Sequence, residues 1–170
     1  SRILHAGYLF EADKFRIIFD PIFENPFSHN CFAFPHIKFD ADAIKNLNLD
    51  AIFISHFHDD HCSFASLNWL DRNIPIYIFC IHDELLELLR ELGFKKVEPI
   101  YLGSTIQIGT IEVTAYRALD ADTDSIFQIK WECVNILNVV DSWIDPQTQN
   151  RLQKIKWDLV LTSWVFGIVG

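Results

Sequence analysis

Asp50-Ala51-Ile52-Phe53-Ile54 runs directly into Ser55-His56-Phe57-His58-Asp59-Asp60-His61-Cys62. The first five residues are mostly β-branched and aromatic, so they read as a short buried strand. From His56 to His61 the chain then carries three imidazoles and two carboxylates in six residues. Polar groups at that density are costly to bury unless something binds them, and a metal ion is the partner that satisfies them together. In an extended segment alternate side chains share a face, so His56 and His58 can approach one ion. Asp60 and His61 fall on the turn into the next helix, where they can aim at a second ion close to the first. Neutral imidazoles suit zinc, iron or manganese, and carboxylates add charge for a divalent or trivalent ion. The strand's C-terminal end is also where α/β sheets place their chemistry. The alternative, a solvated polar loop, gives no reason for this pattern to follow a buried strand.

His56-Phe57-His58-Asp59-Asp60-His61 resembles the HxHxDH signature of the metallo-β-lactamase superfamily, whose members are largely hydrolases with one or two metals. Asp20-Pro21 after Arg16-Ile17-Ile18-Phe19 is similar to the first family motif, an Asp ending an early strand. Asp141, after Asn135-Ile136-Leu137-Asn138-Val139-Val140, resembles the later Asp that bridges two metals. The resemblance implies His56, His58, Asp60, His61 and Asp141 as metal ligands, with zinc the family's usual ion and iron or manganese as alternatives. It departs from the family after Ala115-Tyr116-Arg117-Ala118-Leu119, where a third His completes the first metal site in most members. Here the chain reads Asp120-Ala121-Asp122-Thr123-Asp124. Asp120 falls where that His is expected, with Asp122 the runner-up. A carboxylate in place of an imidazole hardens the site and favours iron or manganese over zinc; the other reading makes these three Asp a solvated turn.

Taken in order, Ile3 to Phe10 and Phe15 to Phe19 read as a hairpin joined by Glu11-Ala12-Asp13-Lys14. Pro21 to Phe39 is a long loop, with Phe23, Phe27, Phe32 and Phe34 as candidates for an apolar wall over a substrate pocket or for plain packing. Asp40 caps a short helix before the motif strand, and Ser63 caps another running to about Leu70. Pro75 to Ile81 reads as a strand. Asp83 is expected to cap Glu84 to Leu92, with Leu85, Leu88, Leu89 and Leu92 as one apolar stripe and Gly93 closing the end. From Val97 the period changes to two, through Ile106-Gln107-Ile108, Ile111 to Tyr116, Ser125 to Trp131 and Val134 to Val140, before a helix over Pro146 to Lys154. This order predicts an α/β fold of the layered α+β kind, an αββα sandwich of two mixed β-sheets flanked by helices, since a doubly wound sheet needs more helices between its strands.

At 170 residues, half of them hydrophobic and 14% aromatic, the chain is expected to form one metallo-β-lactamase-like domain over residues 1–170. It begins at Ser1, lacks Met, and stops just after the strand-like Leu159-Val160-Leu161-Thr162, so it reads as part of a longer protein with its C-terminal portion absent. Net charge is −9, with 14 basic against 23 acidic residues, which disfavours nucleic acid as a partner. Arg90, Lys95 and Lys96 form a local basic group that reads as a solvated helix end. The four cysteines are scattered without a CxxC pair, which fits a reducing cytoplasm. No apolar run approaches membrane-span length.

The expected function is a metal-dependent hydrolase that delivers metal-bound hydroxide to a small-molecule ester, lactone, amide or phosphodiester, with Asp59 or Asp60 orienting that water or taking its proton. Two alternatives stand beside it. Val134 to Trp143 and Phe19-Asp20-Pro21-Ile22-Phe23 loosely resemble the metallo-β-lactamase-like part of CMP-N-acetylneuraminate hydroxylases, so a di-iron, oxygen-activating enzyme is one. A non-catalytic metal-binding module is the other.

Overall fold

The computed structural model describes residues 1–120 and 124–162. It opens with an antiparallel hairpin of β1 (Tyr8–Ala12) and β2 (Phe15–Phe19), joined by Asp13-Lys14. Asp13 has φ 55°, the left-handed backbone that a two-residue hairpin turn requires. The hairpin is shorter than its apolar run suggests, because residues before Tyr8 fold into a separate turn. After α1 (Ala41–Lys45), capped by the Asp40 carboxylate, β3 (Ala51–Ile54) pairs parallel to β2. α2 (Phe64–Leu67), β4 (Ile76–Ile78), α3 (Asp83–Glu91) and β5 (Val97–Pro99) extend the sheet to the order β1-β2-β3-β4-β5.

The second sheet is a meander of β6 (Thr105–Ile108), β7 (Ile111–Arg117), β8 (Ser125–Trp131) and β9 (Val134–Asn138). The chain then passes through α4 (Pro146–Leu152) and returns as β10 (Leu159–Leu161), parallel to β9. Both sheets are therefore mixed, as expected.

Side-chain alternation sorts the layers. Ile17, Phe19, Ala51 and Phe53 face the second sheet and meet Ile111, Val113, Ala115, Phe127 and Ile129. Ile18, Ile52, Ile54, Ile76 and Ile78 face the other way, onto Ile44, Leu67, Leu86 and Leu89 of the first three helices. The outer face of the second sheet is covered at Ile126, Leu137 and Val139 by Leu152 of α4. The layers thus run helix, sheet, sheet, helix. β3 is central in its sheet and covered on both faces, which explains its uninterrupted apolar sequence.

Several local expectations are revised. α3 begins at Asp83 itself, and His82 occupies the cap position without a side-chain hydrogen bond. Its fully covered residues are Leu86 and Leu89, whereas Leu88 is 49% exposed, so the buried stripe is shifted from the expected one. α2 spans only Phe64–Leu67, although Ser63 caps it as expected. Arg90 donates to the Val97 carbonyl, Lys95 to Asn73, and Lys96 pairs with Glu98, so the basic group is engaged locally.

Phe53 stacks on Phe19 at 4.9 Å and on Tyr77 at 5.2 Å, at the centre of the core between the sheets. Phe53→Ala should cost about 3–5 kcal/mol, read as a drop in the denaturant midpoint. A loss below about 1 kcal/mol would mean that the inter-sheet core does not depend on this aromatic stack.

Candidate metal centre

Four strand ends converge. Asp20 closes β2, Ser55 to His61 follow β3, Asp124 precedes β8, and Asp141 lies just beyond β9. The first two belong to one sheet and the last two to the other. Ser125 Oγ donates to the Ser55 carbonyl at 3.1 Å and joins the halves.

Asp20 has no exposed surface. Its Oδ1 accepts from the Ser55 backbone N–H at 2.7 Å, and its Oδ2 accepts from Ser55 Oγ at 2.7 Å and lies 2.9 Å from His61 Nδ1. That last contact makes His61 Nδ1 a donor and directs Nε2 toward the second sheet, where it meets Asp141 Oδ2 at 3.0 Å. His61 is itself fully buried. Burial alone lowers its proton affinity, but hydrogen bonds to Asp141 and Asp20 outweigh burial and raise the pKa to about 10. Burial and the neighbouring His61 charge lower His56 to about 4, so His56 is neutral at pH 7 and ready to ligate.

His56 Nε2 lies 3.0 Å from His58 Nδ1, so the two imidazoles share one side of the centre. On the other side, one donor atom each from His5, Asp60, His61 and Asp141 lie within 4.8 Å of one another. Asp60 Oδ2 is 3.0 Å from His5 Nε2 and 3.7 Å from His61 Nε2. The adjacent His5 imidazole, with the His61 charge, holds the Asp60 carboxyl well below the usual range. The hydrogen bond from His61 does the same for Asp141.

Three of the expected residues gather here as one donor set: Asp60, His61 and Asp141. His56 and His58 stand beside them. Asp59 is directed elsewhere, accepting from Ser28 Oγ at 2.7 Å and facing His29 Nε2 at 3.4 Å, so it ties the long loop to the motif. Of the aspartates after Leu119, Asp120 is exposed and Asp122 lies outside the described residues. Asp124, which the sequence reading passed over, sits 3.3 Å from His56 Nδ1. Burial and the nearby Asp141 charge raise its pKa.

Among the described residues, Asp124 Oδ1 and Asp141 Oδ1 are buried without a hydrogen-bond partner. Orphaned carboxylate oxygens next to imidazole nitrogens are the donor chemistry of a divalent-cation site, so these residues fit a metal. Cys62, next in sequence to His61, takes no part. It is buried and its thiol is pushed up to about 12 by that burial, the behaviour of a small apolar core residue.

A cavity of about 380 Å³ adjoins His5 and is walled by Ile3, Phe27, Phe34 and Ile37. Of the four phenylalanines of the loop, Phe27 and Phe34 line this cavity, Phe23 is buried in the core and Phe32 is 69% exposed.

Solved structures share this fold. CmlA, a diiron beta-hydroxylase from Streptomyces venezuelae, superposes with TM-score 0.70 at 21% identity over 92% of this chain and 32% of its own. An isothiocyanate hydrolase from Delia radicum gut bacteria gives 0.68 at 14% identity over 94% and 69%. A possible metal-dependent hydrolase from Veillonella parvula gives 0.67 at 13% over 92% and 67%. The chain thus spans about one third of the length of the hydroxylase, and likenesses at these identities establish the fold alone. No curated protein matches the sequence. The sequence profile of the metallo-beta-lactamase superfamily matches residues 5–135, which is most of the chain, and the chain belongs to that superfamily.

Proposed function

We propose that this domain is the metal-binding part of a metal-dependent hydrolase that acts on a small-molecule ester, lactone, amide or phosphodiester. The observation that carries the reading is the suspension of His61 between two carboxylates, Asp20 on Nδ1 and Asp141 on Nε2. A carboxylate behind a ligating imidazole fixes its tautomer and raises its basicity.

In this reading His56 and His58 would hold one ion, and Asp60 and His61, with Asp141, the other. Ions bound there would supply Lewis acidity and a bound water with its pKa lowered toward ~7. The rest is done by the chain. Asp60, kept ionised by its neighbours, would orient the water and take its proton, while Asp59, held by Ser28 and facing His29, ties the loop to the motif. The cavity beside His5, lined by Ile3, Phe27 and Ile37 together with Arg2, takes the substrate's hydrocarbon or ring portion. With a net charge of −9, nucleic acid is not the expected substrate.

One observation favours a second reading. Asp124, beside His56, offers a carboxylate where another imidazole would make a zinc site, and oxygen donors favour iron or manganese. Two irons there would supply oxygen activation. Elemental mass spectrometry of the full-length protein, purified without chelators, separates the readings when run beside assays of ester turnover and oxygen consumption. Zinc or manganese with oxygen-independent turnover, falling roughly 100-fold or more in His58→Ala, supports the hydrolase. About two irons, diminished in both His58→Ala and Asp124→Asn and coupled to oxygen consumption, would replace it with the oxygenase. Absence of metal from every sample would leave a non-catalytic module.

Proton release gives an independent check. In the metal-free protein His61 keeps its proton up to about pH 10, so an ion must displace it. Apparent metal affinity should therefore rise as pH increases from 6.5 toward 10, by about tenfold per unit for each proton released. Calorimetric titration in buffers of different ionisation enthalpy should count that proton, and a pH-independent affinity would refute the assignment. The sign for stability is opposite: with its pKa raised on folding, His61 stabilises the metal-free fold fully below pH 6.5, and that stabilisation is lost as pH rises toward 10.

A further inference from the structure

His5 is separated from the His56–His61 motif by most of the first sheet's sequence, yet it reaches the same centre. We propose that His5 is itself a metal ligand, its Nε2 completing the second ion's coordination beside Asp60, His61 and Asp141. The inference rests on the metal-enzyme reading above and adds to it a residue outside the signature.

Distance comes first. Two donors bound to one zinc at ~2.0–2.1 Å in tetrahedral geometry stand ~3.4 Å apart. His5 Nε2 to Asp60 Oδ2 is 3.0 Å, His61 Nε2 to Asp141 Oδ2 is 3.0 Å, and His61 Nε2 to Asp60 Oδ2 is 3.7 Å. All four donors lie within 4.8 Å of one another, so small side-chain shifts bring them onto one ion.

The second observation is the state of the nitrogen. His5 Nε2 is buried and, among the described residues, has no hydrogen-bond partner. Its near polar neighbour is Asp60 Oδ2 at 3.0 Å, whose carboxyl it holds well below the usual range. A buried nitrogen held against one carboxylate, with a second carboxylate and an imidazole close by, faces a common centre that an ion can occupy.

The backbone around His5 is built to hold it there. His5 has φ 52°, a left-handed conformation unusual for a side-chain-bearing residue and typical of functional sites. It is enforced by Ile3 N–H donating to the Gly7 carbonyl, by Gly7 N–H donating to the Leu4 carbonyl, and by the Arg2 guanidinium donating twice to the His5 carbonyl. Gly7 is required, since a Cβ there would lie 2.9 Å from the carbonyl oxygens of both Asp20 and Leu4. The turn is thus seated directly on the residue that organises the motif. Phe27 packs on the His5 ring at 5.4 Å, and His61 meets it edge-on at 5.0 Å.

The test uses the full-length protein stripped of metal and reloaded with Zn²⁺ or Co²⁺. His5→Ala should bind the weaker ion at least tenfold less tightly and lose part of the Co²⁺ ligand-field absorption, while the ion at His56 and His58 remains. Added imidazole should restore both. His5→Gln, which keeps bulk against Phe27, should show the same loss, and circular dichroism identifies any variant that fails to fold. Wild-type stoichiometry, affinity and Co²⁺ spectrum in both variants would overturn the proposal and leave the metal reading intact. A wild-type protein that binds no ion would overturn both.

Discussion

Asp20 contributes a carboxyl group with no exposed surface, at the end of a strand in the middle of a sandwich, and such a group is tolerated only when its oxygens are fully engaged. The Ser55 N–H, the Ser55 hydroxyl and His61 Nδ1 engage them. Removing any one partner would leave buried polarity uncompensated, at a cost of roughly 3–5 kcal/mol for an ion pair. These contacts fix the path of the chain out of β3, the tautomer of His61 and the aim of its second nitrogen. The site's other donors take their places around that nitrogen.

The arrangement separates support from reactivity. Asp20 and Ser55 lie behind the imidazoles and are sealed by the core, whereas Asp60 and Asp141 lie in front and are partly exposed. Carboxylates on both sides of one imidazole pull its proton affinity up, while its neighbour His56, buried and facing that charge, is pushed down. Two histidines five residues apart are thus driven in opposite directions by their surroundings.

Much of the fold was legible because its signals are local. The unbroken Ala51-Ile52-Phe53-Ile54 run marked the central strand, and the period-two runs after Val97 marked the second sheet. The buried face of α3 was misread because Leu85, Leu86, Leu88, Leu89 and Leu92 offer two overlapping stripes, and only the packing against β4 and β5 chooses between them. The clustering of His56, His58, Asp60 and His61 at the end of β3 was legible from spacing. His5 was not, since a single histidine in an apolar run carries no periodic signal, and only the neighbouring Gly7 hinted at a turn instead of a strand. Nor could spacing rank the aspartates from 120 to 124, because the backbone's course into β8 decides which one meets His56.

The donors come from both sheets: Asp124 and Asp141 from one, His56, His58, Asp60 and His61 from the other. An ion bound across them would act as a rivet through the sandwich, at the end opposite the β1–β2 turn. Because the unfolded chain scatters these groups, an ion at 100 times its dissociation constant would add about 2.7 kcal/mol to the folded state. The thermal midpoint would then be a gauge of free metal concentration, and metal supply would set how much folded protein persists.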